Sequence, residues 1–129
     1  MSEQHSHPPQ LNVLNHIAIE VNDIQESLTF YLEVLGLSEL TTPIDIKKSG
    51  IRWIDLRNAQ ALHLVENRDA FAASIAHFAI TVDDVEVWRT YLNGRGVEIF
   101  SPKIKLYNAE RFFLRDPSGN RIELVKWLD

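Results

Sequence analysis

The chain contains one pattern twice. The segment His16-Ile17-Ala18-Ile19-Glu20-Val21-Asn22-Asp23-Ile24 returns as His77-Phe78-Ala79-Ile80-Thr81-Val82-Asp83-Asp84-Val85, at an offset of 61. Further on, Leu35-Gly36-Leu37 lies over Arg95-Gly96-Val97 at an offset of 60, so the register slips by one residue in between. The offset of 60 then places Trp53-Ile54 over Phe113-Leu114, and Ala61-Leu62-His63-Leu64-Val65 over Arg121-Ile122-Glu123-Leu124-Val125. Units of about 60 residues are too small to bury a sufficient core alone. The halves must therefore pack on each other or on a second chain, and 129 residues make one such domain.

Each half reads strand, helix, then three strands. Ile17, Ile19 and Val21 alternate with His16, Ala18 and Glu20, the period of a strand with two unlike faces. Asn22 followed by Gln25, and Asp83 followed by Glu86, have the spacing of helix caps. Ile24, Leu28, Tyr31, Leu32 and Leu35 follow at helical spacing, as do Val85, Trp88, Leu92 and Arg95. Gly36 and Gly96 stand where a helix stops. Later strands are expected near 38–42, 50–56 and 61–66, and near 98–101, 111–115 and 120–126. Asp116-Pro117-Ser118-Gly119-Asn120 forms the turn before the last of them. Residues 1–10 read as a disordered tail and 11–66 as the first module. Residues 67–75 read as a connector with a helical turn around Ala70 to Ala73, and 76–129 as the second module.

Strand parity assigns the faces. Ile17/Ile19/Val21, Leu62/Leu64, Phe78/Ile80/Val82 and Ile122/Leu124 are the apolar sets and should face the helices. The opposite parity carries His16, His63, His77 and Glu123. His16 and His77 are repeat-equivalent, as are His63 and Glu123. Three imidazoles and a carboxylate suit a borderline divalent ion such as Zn, Ni, Co, Mn or Fe. With no thiolate in the set, coordination positions left open to water or substrate are expected. His5 and His7 lie in the tail and read as inert.

Composition removes other classes. No apolar run exceeds four residues, whereas a membrane-spanning helix needs roughly 20. The terminus MSEQHSHPPQ lacks the apolar core of a secretory signal. The absence of cysteine excludes disulfides, thiolate metal sites and cysteine nucleophiles, and fits a cytoplasmic location. A net charge of −5 argues against a general nucleic-acid binder, and Lys47-Lys48 and Lys103 with Lys105 read as solvated.

Three stretches carry a resemblance. They are LNHIAIEVNDIQESLTFYLEVLGL, AHFAITVDDVEVWRTYLNGRGVEI and RFFLRDPSGNRIELVKW, the last with the motif D-P-x-G-N-x-I-E-L. Across roughly 12–127 the chain resembles the vicinal oxygen chelate superfamily, also called the glyoxalase/bleomycin-resistance/dioxygenase family. The resemblance implies an α+β fold of two βαβββ modules forming a cupped mixed sheet with helices on the outer face. It implies metal ligands on the first and last strands of each module, at His16, His63, His77 and Glu123. It also implies a homodimer with shared sites and a small-molecule substrate; the net charge and the short apolar runs, not the resemblance, argue against a nucleic-acid or membrane partner.

The activity implied is that of a metal-dependent lyase or isomerase like glyoxalase I (lactoylglutathione lyase), with Glu123 as a ligand that can dissociate and take the carbon-bound proton. Glyoxalase I-like members typically carry glutamate where this chain has His63. Extradiol dioxygenases use two histidines and a glutamate, matched by His16, His77 and Glu123. Fosfomycin-modifying transferases use a similar set, although no obvious potassium-binding loop is present here. Non-catalytic binding or resistance proteins of the family lack the ligands this chain keeps. Trp53 and Phe113 are expected to line the cup, and Arg111 and Tyr107 to meet a substrate carboxylate.

Overall fold

A computed structural model describes residues 6–72 and 74–128. The first module runs β1 (His16–Val21), α1 (Ile24–Thr29), β2 (Ser38–Leu40), α2 (Ile44–Lys48), β3 (Ile51–Arg57) and β4 (Gln60–Glu66). The second runs β5 (His77–Thr81), α3 (Val85–Gly94), β6 (Ile99–Phe100), β7 (Ala109–Arg115) and β8 (Arg121–Trp127). Each module forms a four-stranded mixed sheet, ordered β1-β4-β3-β2 and β5-β8-β7-β6. In each, the first strand lies parallel to the last and the other neighbours are antiparallel. The α+β fold class that the resemblance implies is the one observed.

The register is duplicated residue for residue. His16 pairs with Ala61 and Ala18 with His63 in the first sheet; His77 pairs with Arg121 and Ala79 with Glu123 in the second. Trp53 opposes His63 as Phe113 opposes Glu123. The apolar parity set turns inward. Val21, Leu62, Leu64, Ile122 and Leu124 join Leu28, Tyr31, Val85, Leu92, Phe112 and Leu114 in one buried cluster that spans both modules. Ile17, Ile19, Phe78 and Ile80 are half-buried against it. Such burial is the main stabilising term for halves this small.

The slip between the two halves has a structural cause. After Thr29 the first helix widens into a π-helical segment, Phe30–Val34, closed by the Leu35 N–H donating to the Phe30 carbonyl. A π-bulge accommodates one inserted residue in a helix, which is the residue by which the first half exceeds the second. The widened turn sits where Tyr31 is fully buried. Its hydroxyl donates to Asp116 Oδ2 at 2.8 Å, across the module boundary. Asp116 Oδ1 also accepts from the Ser118 and Asn120 N–H groups, and Asn120 Nδ2 reaches on to the Glu20 carbonyl. The D-P-S-G-N turn thus fastens the second module to β1 and α1.

Four local expectations are corrected. The helix caps are Asp23 and Asp84, not Asn22 and Asp83; their carboxylates accept from the Glu26 and Val87 N–H groups. The Asn22 N–H is already engaged by Ser118 Oγ and its Nδ2 by the Ala70 carbonyl, so Asn22 serves the module junction instead. The short helix α2 was not anticipated. No helical turn forms at Ala70–Ala72, where the Ala70 N–H closes a turn onto the Asn67 carbonyl; Ala73 lies outside the described residues. So do residues 1–5 of the expected tail, His5 included, and Asp129.

Candidate metal centre

The four ligand candidates assemble as two pairs. In the first module the His16 and His63 rings stack at 4.0 Å between centroids and 14° between planes. Trp53 stacks on the other face of His63 at 4.7 Å and 10°. In the second module His77 Nε2 lies 3.0 Å from Glu123 Oε1, and Phe113 meets the His77 ring edge-on at 5.2 Å. Parity alone aims these side chains at the face opposite the helices. Ala18 and Ala79, one register step away, add no bulk beside them.

Each imidazole on a first strand is held through its Nδ1. His77 Nδ1 lies 2.9 Å from the Ile75 carbonyl, and His16 Nδ1 lies 2.8 Å from Asn15 Oδ1. The Ile75 carbonyl only accepts, so the ring hydrogen of His77 sits on Nδ1 and its Nε2 is the nitrogen that can bind an ion. For His77 this has a consequence. Its Nε2 faces a Glu123 oxygen at 3.0 Å. Either Nε2 is also protonated, or two lone pairs meet unless a cation lies between them. Two donors on one ion, each about 2.1 Å from it, stand about 3.0 Å apart at a right angle and about 3.4 Å apart at a tetrahedral one, so the pair fits adjacent positions of an octahedral divalent cation.

His63 has its proton affinity lowered, first by desolvation and then by the nearby His16. A depressed pKa keeps the imidazole neutral, which is the form that ligates. Glu123 is nearly buried and is also approached by Arg111 Nη1, 3.4 Å from its Oε2. Among the described residues, no group of three or more His, Asp or Glu side chains is close enough to hold one ion. The structure brings His16 to His63 and His77 to Glu123; it does not bring the two pairs together within the chain.

The other expected pocket residues divide. Trp53 and Phe113 flank the two pairs as described, and Arg111 lies on the second. Tyr107 stands 95% exposed, outside the walls of the cavity beside His77. That cavity holds about 650 Å³ and is lined by Lys103, Arg115 and Arg121 as well as His77, Arg111 and Phe113. Arg121, Asn15 and Ile75 were not singled out from the sequence. Arg121 shares strand parity with Glu123, which is the signal that could have found it. Asn15 and Ile75 precede the two first-strand histidines by one and two residues.

The profile of the Glyoxalase/Bleomycin resistance protein/Dioxygenase superfamily matches residues 13–124. The chain is similar to the glutathione transferase FosA of Serratia marcescens, with 33% identity over 88% of this chain and 80% of that protein. It is similar to the metallothiol transferase FosB of Staphylococcus saprophyticus, with 25% identity over 86% of this chain and 74% of that protein. Its fold superposes on the crystal structure of a glyoxalase family protein from Bacillus anthracis with a TM-score of 0.83, at 25% identity, covering 94% of this chain and 99% of that one. Duplicated modules, matching register and the profile over nearly the whole chain agree: the chain belongs to the glyoxalase/bleomycin resistance/dioxygenase superfamily.

Proposed function

We propose that this chain is a metal-dependent enzyme of the vicinal oxygen chelate type, acting on a small oxygen-rich substrate. The observation that carries the reading is the His77–Glu123 pair. Its geometry fits two ligands of one divalent ion, and the Nδ1 hydrogen of His77 is already given to Ile75. A bound ion would supply Lewis-acid stabilisation of negative charge developing on substrate oxygen.

His77 and Glu123 make only half of a ligand set. We place the other half, His16 with His63, on a second copy of the chain. The pairs lie on or beside β1 and β5, and among the described residues neither strand has a partner along its outer edge. Unpaired edges invite pairing, and a twofold dimer that joins β1 of one copy to β5 of the other forms two equal sites.

The chain's own residues bear on the reaction. In a glyoxalase I-like isomerisation, Glu123 would leave the ion and take a proton from carbon. Here Arg111 Nη1 lies 3.4 Å from Oε2 of the same carboxylate, a contact that movement of Glu123 towards a substrate carbon would break. His63 stands where isomerases of this type typically have glutamate. These two features favour a second reading, in which Glu123 stays a ligand and a thiol adds to the activated substrate; the similarity to FosA supports it.

Elemental analysis of protein purified without a histidine tag tests the metal. About one divalent ion per chain is expected, with loss in His16→Ala and His77→Ala. A metal-free protein whose melting is unchanged by chelator would refute the reading. Methylglyoxal with glutathione, fosfomycin with glutathione, and a catechol with Fe²⁺ then separate isomerase, transferase and oxygenase.

A further inference from the structure

The cavity beside His77 is strongly cationic in a chain whose net charge is −5. Lys103, Arg111, Arg115 and Arg121 line it, and no carboxylate does. Two of the arginines share one ring, while Arg115 lies over Phe100. Arg121 lies 3.8 Å above the centroid of Phe113 and Arg111 lies 5.6 Å from it. Arg111 is partly committed, to Glu123 and to the Ile104 carbonyl. Arg115 donates to the Gly119 carbonyl at 2.8 Å. Among the described residues Arg121 makes no ion pair, and its Nε is shut off from solvent without a hydrogen-bond partner. Crowding four like charges is unfavourable unless an anion joins them. Guanidinium groups packed over an aromatic ring are preorganised to receive oxyanions, often in bidentate fashion.

At three of the four equivalent positions the first module carries no charge, and at the fourth Asp55 stands for Arg115. Ile51 stands for Arg111, Ala61 for Arg121 and Pro43 for Lys103, and Trp53 offers a flat stacked surface beside His63. One half-site is thus aromatic and has no cation at these positions, and the other is cationic. From this asymmetry we propose that Arg111 and Arg121, backed by Phe113, form an oxyanion-recognition wall, and that the substrate carries a carboxylate or phosphonate on a flat or apolar body. The proposal rests on the proposed function only in assigning that anion to the substrate; the wall itself lies within one chain.

The test measures binding in chelator, so that it does not depend on metal. Benzoate, phenylphosphonate and neutral benzamide are titrated calorimetrically into wild type, Arg111→Gln, Arg121→Gln, Arg121→Lys and the remote Lys48→Gln. At least one anion should bind saturably, with benzamide at least about tenfold weaker. Arg111→Gln and Arg121→Gln should each weaken that anion by about tenfold, Arg121→Lys by less, and Lys48→Gln not at all. The anion that binds more tightly identifies the head group. Melting curves confirm that each variant folds, and the charge-keeping Arg121→Lys separates lost packing from lost recognition. Saturable binding of neither anion, benzamide binding as tightly as the better anion, or unchanged affinity in both glutamine variants overturns the wall. Metal content is read on portions of the same preparations set aside before chelator is added. Metal without anion binding sinks this inference alone, and anion binding without metal sinks the metal reading alone.

Discussion

Mixing two inactive variants gives the sharpest test of the shared site. His16→Ala removes a ligand from one half-site and leaves His77 and Glu123 intact; His77→Ala does the reverse. Within the chain the two pairs do not come together, so each variant alone should lose tight metal binding. Suppose equal amounts of the two are unfolded together, refolded and allowed to pair at random. About half the dimers are then mixed. In each mixed dimer one site takes His77 and Glu123 from one copy and His16 from the other, and is whole; the second site carries both defects. About one quarter of all sites should therefore regain metal. The measurement is metal per chain after desalting, with any activity found for the wild type followed in parallel. Recovery near a quarter supports the two-copy site. If wild type binds metal and both variants lose it, yet the mixture recovers nothing while forming dimers, the ligands come from one chain and the reasoning fails.

Other outcomes follow from the described contacts. Tyr31→Phe should cost about 2 kcal/mol, because it removes a buried hydrogen bond to a carboxylate that keeps its other donors. Thermal melting should fall by about 8 °C. Burial and Asp116 raise the Tyr31 pKa well above 10.0. The stability this represents is full below pH 10 and is lost as pH rises through the folded value, so the wild type should weaken in alkali more steeply than Tyr31→Phe. His63 has a depressed pKa, so its contribution is present above pH 6.5 and lost as pH falls through the folded value. Melting in chelator at pH 7 and pH 5 should show that loss, reduced in His63→Gln. Gly119→Ala should destabilise by about 3 kcal/mol or more. Gly119 has φ +88°, and an added Cβ would lie 2.1 Å from the Ala72 carbonyl oxygen; denaturant unfolding measures the effect.

Duplication made most of the fold legible. Alternation in Ile17–Val21 and Phe78–Val82 located the first strands. Because side chains change face at every residue, the same alternation placed His16, His63, His77 and Glu123 on one side. The helix caps were misread because each first strand ends in two polar residues, Asn22-Asp23 and Asp83-Asp84, with similar capping ability. What decides between Asn22 and Asp23 is tertiary: Ser118 engages the Asn22 N–H from 96 positions away. The π-helical segment had left a trace, the slip in repeat offset, but a slip does not say how the extra residue is housed. Lys103 reaches the cavity from an irregular stretch where periodicity carries no information, whereas the placement of Arg121 beside Phe113 was recoverable from parity.

The two modules separate what backbone supplies from what side chains supply. His16 pairs with Ala61 as His77 pairs with Arg121, and Trp53 with His63 as Phe113 with Glu123. The ladders are the same, so ladder geometry cannot explain why one half-site is a stack of neutral rings and the other an acid among arginines. Substitution at a few equivalent positions does explain it. It also sets a requirement on assembly. Two copies of the second half-site facing each other would oppose cationic walls, and two copies of the first would supply only imidazoles to an ion. Pairing unlike halves places one carboxylate opposite histidines and keeps the cationic walls of the two copies on different sites. The same asymmetry that gives the proposed site a mixed ligand set therefore also disfavours the wrong pairing of modules.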